Sequence, residues 1–160
     1  MNLLLAIDGS AASQAVLREV VSRPWPDETR VRVLSVTAVG EGEPLPPSPT
    51  QYGEMSALQL WPVAALETRL QLIESARRVA QRAIEQLAES GIRAQLRVRE
   101  GSAGDQIVRE ACEWPADLIV LGSPRRSAWK RLLRGSVANY VLRRAPCCLE
   151  IVRASEPASH

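Results

Sequence analysis

The succession of apolar and polar segments predicts an α/β domain on an open five-stranded parallel sheet, strand order 3-2-1-4-5, with helices on both faces. Three observations carry this. Leu3-Leu4-Leu5-Ala6-Ile7 and Leu118-Ile119-Val120-Leu121 are continuous apolar runs, the pattern of central strands covered on both sides. Residues 93–99 alternate strictly and Cys148-Leu149-Glu150-Ile151-Val152 carries an internal charge, so both read as rim strands. Helical patterns separate the strands, and such crossovers force parallel pairing, right-handed winding and a central position for strands one and four.

The elements follow in order. Asp8-Gly9-Ser10 supplies the turn after strand one, and residues 10–22 read as a helix with Ser10 as N-cap and Ala12, Ala15, Val16, Glu19 and Val20 at helical spacing. Pro24, Trp25 and Pro26 stop it. Val31, Val33, Leu34 and Val36 form strand two, with Arg30 and Arg32 pointing outward. Residues 40–62, which include Pro44, Pro46, Pro47 and Pro49, read as a long crossover loop, part of which packs through Tyr52, Leu58, Leu60 and Trp61. From Leu66 through Leu70, Ile73, Ala76, Ala80 and Ala83 to Leu87, spacings of three and four mark a long amphipathic helix ending near Gly91. Ser102 with Asp105 resembles a capping box, and Ile107, Val108, Ala111 and Cys112 give a short helix. A last helix runs from Gly135-Ser136-Val137 to Ala145, before Pro146.

Composition narrows the function. At 160 residues the chain suits a single domain, and no run approaches the ~20 apolar residues of a membrane-spanning helix. Met1 leads straight into an apolar strand with no basic secretory n-region, so a cytoplasmic location is expected. Cys112, Cys147 and Cys148 fit neither a disulfide framework nor a CxxC spacing and read as small apolar filler. The only histidine is His160, in the polar tail, which leaves no materials for a histidine-based metal site or a catalytic triad. Net charge is +2, yet residues 123–144 hold Arg125, Arg126, Lys130, Arg131, Arg134, Arg143 and Arg144 without one acid. That segment is either an anion-docking patch or an ordinary solvated helix face. Nucleic-acid binding ranks last, because only Trp129 and Tyr140 interleave the charges.

In a sheet of this order, ligands bind beyond the carboxyl ends of the strands where the winding reverses, between strands one and four. Asp8 and Gly122 belong there. Asp8 can accept from a ribose hydroxyl or a nucleobase amine, and the Gly135-Ser136 helix start offers N–H groups and a positive dipole end to phosphate. Each residue also has a plain structural reading: Asp8 capping its own turn, Gly122 ending a strand, Gly135 and Ser136 starting a helix. With no general base beyond Asp8 and no metal cluster in the sequence, binding is expected in place of catalysis.

Leu3 to Ser10, Ala116 to Ser123, Gly135 to Ala138 and Ala145-Pro146-Cys147 together resemble the universal stress protein family. The resemblance spans a domain at 1–153, followed by a polar tail at 154–160, and implies a Rossmann-like, adenine nucleotide alpha hydrolase-like fold. Nucleotide-binding members of that family carry Gly-x2-Gly-x9-Gly-Ser/Thr. Gly122, Gly135 and Ser136 match it, whereas Arg125 stands at the middle glycine. The resemblance implies that Asp8 and Val36 frame adenine and ribose, and that Gly122, Gly135, Ser136 and Val137 surround the phosphates. Arg125 would either fill the phosphate space or add charge to it. The implied ligand is ATP or another adenine nucleotide, with Mg accompanying ATP. The implied role is stress-response sensing or regulation by a homodimer joined through its last strand, acting on a partner protein and engaging neither nucleic acid nor membrane. The alternative is a dimeric interaction module of the same family without nucleotide.

Overall fold

The computed structural model describes residues 1–38, 56–123 and 137–154. Strands β1 (Asn2–Ala6), β2 (Arg30–Thr37), β3 (Ala94–Glu100), β4 (Leu118–Ser123) and β5 (Cys148–Arg153) alternate with helices α1 (Ala11–Ser22), α2 (Ser56–Glu89), α3 (Ala103–Glu113) and α4 (Val137–Arg144). All strand pairings are parallel and the order is β3-β2-β1-β4-β5, as the sequence predicts. No helix among the described residues is long and apolar enough to cross a membrane.

Leu3, Leu4 and Leu5 are each fully buried, because successive β1 side chains enter opposite cores. On one face Leu3, Leu5, Val33 and Val120 pack against α1 and α2 through Val16, Val20, Ala80 and Leu87. On the other, Leu4, Leu34, Ile119 and Leu121 pack against α3 and α4 through Ile107, Ala111 and Val141. Right-handed crossovers explain the division: the chain winds outward from β1 to β3, then crosses back and winds to β5. The charge inside β5 is neutralised from α1, since Arg23 at its C-cap donates to both oxygens of Glu150 at 2.8 Å.

Several details depart from the sequence expectations. Helix α2 starts at Ser56 and runs through Pro62, where a loop reaching residue 62 is expected; residues 56–61 contain no helix breaker, and their Ala, Leu and Gln favour the helix. The remainder of that loop, residues 39–55 with Tyr52, lies outside the described residues. Leu66 and Leu70, expected on the buried stripe, are more than half exposed. A 34-residue helix is about 51 Å long, roughly twice the span of the eight-residue β2, so α2 outruns the sheet. The Ser102–Asp105 capping box does not form: Ser102 makes no side-chain cap, and Asp105 instead accepts from the Tyr140 hydroxyl. Finally, Cys112 and Cys148 are exposed and so are not core filler, while burial raises the pKa of the Cys147 thiol.

Arg32 does not point into solvent. On the α3 side of β2 and β3 a polar cluster replaces the apolar core. The Glu110 carboxylate, 1% exposed, accepts from Arg32 at 2.7 Å and from Arg99, with Arg97 at 3.4 Å. Arg32 also donates to Gln95 and stacks over Trp114, 4.3 Å from the ring centre. Arg99 reaches Glu113, which takes a second bond from Arg109 at 2.6 Å. Burial alone would raise the Glu110 pKa, but the bonds from Arg99 and Arg32 and the nearby arginine charges outweigh it and hold the carboxyl below its ordinary value.

Gly122 closes β4 against the first turn of α1. A Cβ there would lie 2.6 Å from the carbonyl carbon and oxygen of Ala12, a separation no side chain tolerates.

Two predictions follow from these contacts. Because its folded pKa is depressed, Glu110 contributes stability that is complete above the unfolded carboxylate range and is lost as pH falls through the folded value. Thermal melting followed downward from about pH 7 to about pH 3 should show a shallower loss in Glu110→Gln than in the wild type, and Glu110→Ala should cost roughly 3–5 kcal/mol by stranding two shielded guanidinium groups. Gly122→Ala should lower stability by about 1–3 kcal/mol through overpacking, read as a reduced urea midpoint at unchanged slope.

Candidate functional site

Parallel register brings three predicted residues to one level at the carboxyl end of the sheet. Ala6 pairs with Leu34 on one side and Leu121 on the other. Two residues past Ala6 stands Asp8, two past Leu34 stands Val36, and one past Leu121 stands Gly122. This is the point between β1 and β4 where the winding reverses and the α1 and α3 sides of the sheet diverge.

The β1 ladder continues one residue further, with the Ile7 N–H bonded to Leu34 O at 2.9 Å, before the chain turns. Gly9 makes that turn at φ +80, and Val79 of α2 packs beneath it, 3.2 Å from where a Cβ would sit. Asp8 locks the turn. Its Oδ1 accepts from the Ser10 N–H at 2.9 Å and from the Ser13 hydroxyl at 2.5 Å, while the Asp8 N–H donates to Ser13 Oγ at 2.9 Å. Ser10 in turn caps α1 by accepting from the Ser13 N–H. Burial would raise the Asp8 pKa, but the Ser10 and Ser13 bonds prevail and lower it, so the group is a carboxylate across the neutral range. Asp8 thus does cap its own turn, through one oxygen. Among the described residues no donor engages the other oxygen, Oδ2.

Ser13, 3% exposed, is a residue the sequence reading passed over. The signal available was a serine five residues after an aspartate in a Gly-Ser turn, Asp8-Gly9-Ser10-Ala11-Ala12-Ser13.

Val36 is half-buried, packs on the α3-side core and pairs with Arg99. Val137 opens α4 and is 41% exposed. Helix α4 is fixed by fully buried Val141 and by Tyr140, whose hydroxyl donates to Asp105 and whose ring lies 4.1 Å beneath the Arg144 guanidinium. Arg125, Gly135 and Ser136 lie outside the described residues, as do Arg126, Lys130, Arg131 and Arg134 of the basic segment. Arg143 and Arg144 are exposed in the last turn of α4. The described part of the site therefore offers a preformed carboxylate acceptor at Asp8 and an apolar wall at Val36, beside Gly122, the last residue but one of β4, whose glycine is required by packing against α1. Among the described residues no group of three His, Cys, Asp or Glu side chains is placed to hold a metal ion.

Comparison with known proteins agrees with this architecture. The model of the universal stress protein family matches residues 1–153. Universal stress protein Sll1388 of a Synechocystis strain is 28% identical over 152 residues, 95% of this chain and 97% of its own length. Among solved structures, UspA of Lactobacillus plantarum superposes with a TM-score of 0.68 at 23% identity, covering 96% of this chain and 97% of that one. A family protein of Arabidopsis thaliana, solved with AMP bound, gives 0.61 at 13% identity over 99% and 97% of the two chains. With the sheet order, the turn after β1 and a match from the first residue to the end of β5, this chain belongs to the universal stress protein family.

Proposed function

We propose that the protein binds an adenine nucleotide at the carboxyl end of β1 and β4 and acts as a cytoplasmic stress-response sensor or regulator, without turnover as its purpose. The observation that carries this reading is the Asp8 carboxylate: it is kept ionised by Ser10 and Ser13 through one oxygen and retains an acceptor oxygen level with the half-buried wall of Val36. A ribose hydroxyl or an adenine amine is the complementary donor, and such a bond to a charged acceptor is worth about 1.5–3 kcal/mol. Phosphates would extend towards Gly122 and the start of α4, and the family motif would assign their N–H donors to Gly135, Ser136 and Val137 and a counter-charge to Arg125. ATP, with Mg accompanying it, is the proposed ligand, and the AMP carried by the Arabidopsis relative supports the adenine class. The presence of Arg125 where binding members have glycine favours the second reading, a dimeric interaction module without nucleotide.

Calorimetric titration of ATP and AMP separates the two. Wild type should bind. Asp8→Asn, which keeps an oxygen for the turn but removes the charge, should fold normally and bind roughly tenfold or more weakly. Arg125→Gly should weaken ATP more than AMP; no binding by wild type with a gain in Arg125→Gly would instead support the interaction module. The homodimer is the second testable part. β5 is an outer strand carrying half-buried Leu149 and Ile151, and antiparallel pairing of two such edges would cover them. Sedimentation at micromolar concentration should return a dimer, and Ile151→Arg should shift it to monomer.

A further inference from the structure

The opposite rim of the sheet has a different chemistry. Among the described residues β3 pairs with β2 alone, so its outer edge over Ala94–Glu100 presents main-chain N–H and C=O groups without a neighbouring strand. Alongside it α2 leaves a groove of about 670 Å³, with Leu96 of β3 on its floor and Arg77, Arg78 and Arg82 on its wall, accompanied by Glu74 and Glu85. Arg93 immediately precedes the strand, and Arg97, half exposed and 3.4 Å from Glu110, stands on the other sheet face. Glu74 lies 3.7 Å from Arg78, which offsets one pair of charges, whereas Glu85 accepts only from the neutral Gln81 amide at 3.2 Å and keeps its charge. Among the described residues Arg77, Arg82 and Arg93 meet no carboxylate within ion-pair distance, so with Arg78, Glu74 and Glu85 included the flank sets four arginines against two glutamates and is net positive.

We propose that the β3 edge and the arginine-flanked groove beside α2 form a docking surface for an extended acidic segment of a partner protein, which adds to the sheet as a sixth strand. Two features select this occupant. A second copy is disfavoured, because joining two β3 edges would bring like-charged arginine rows together, the opposite of the apolar β5 rim. An added strand alternates its side chains. Those on the α2 side lie over Leu96 and face Arg77, Arg78 and Arg82; those on the other side meet Arg97. Main-chain bonds then supply affinity and the arginines select acidic sequence. The surface is separate from the carboxyl-end site, and the inference does not rest on the nucleotide reading.

The test uses the full chain and a short synthetic peptide of alternating Glu and Val, labelled for fluorescence anisotropy, with its Lys-for-Glu counterpart and a single-stranded oligonucleotide of matching charge. The Glu peptide should bind, weaken as salt rises, and protect β3 main-chain amides from hydrogen exchange. The Lys peptide should not bind. The double variant Arg77→Glu, Arg82→Glu alters only exposed positions of a helix, and after circular dichroism confirms its fold it should bind the Glu peptide about tenfold more weakly. Absence of Glu-peptide binding, binding without protection of β3 amides, or equally tight oligonucleotide binding in the same groove would overturn the proposal.

Discussion

Everything in this fold answers to the need to cover β1 on both sides. A strand whose consecutive residues Leu3, Leu4 and Leu5 are all fully buried cannot lie on a surface. One set of helices has to shield one face and a second set the other. Since parallel crossovers keep a single hand, a chain can do this only by winding away from β1 in one direction, returning, and winding away in the other. The reversal comes at the carboxyl ends of β1 and β4, where sheets of this kind place their ligand sites, and Asp8 stands just past the end of β1 there. The location of the candidate site is thus a by-product of how three leucines are kept dry.

The side of the sheet that no helix fully covers is solved by other means. Beyond α3, β2 and β3 present arginines where a core would need apolar side chains, and the fold inserts one buried carboxylate among them. Glu110 would be costly alone, since desolvation opposes its charge. Bonds from Arg99 and Arg32 reverse that balance, and the Trp114 ring covers the outer face of Arg32. The cluster ties α3 to two strands through charge and directional bonds, and so orients a helix whose apolar stripe reaches only Ile107 and Ala111 deeply.

Much of this was legible from residue order, and the illegible parts share a cause. Continuous apolar runs and strict alternation report the environment on each side of a strand, so β1, β4 and the two rim strands could be placed together with their order. Asp8 and Gly122 followed from topology. Partnerships between distant residues leave no periodic trace. Arg32 looks like any outward residue until Glu110, far along the chain, arrives beneath it, and Asp105 looks like a cap until Tyr140 claims it. The start of α2 was hidden because proline signals masked six residues of ordinary helix propensity, and the exposure of Leu66 and Leu70 because amphipathic spacing records a stripe and not how far the sheet beneath it extends.

Gly122 has an implication for ancestry. Its lack of a side chain is enforced by Ala12, whose main-chain atoms leave no room for a Cβ. A lineage that ceased to use a ligand would still retain this glycine, because losing it would damage folding in every cell that expressed the protein. Positions in a shared signature therefore decay at different rates once their ligand is gone: those held only by the ligand drift first, and those also held by packing persist as relics.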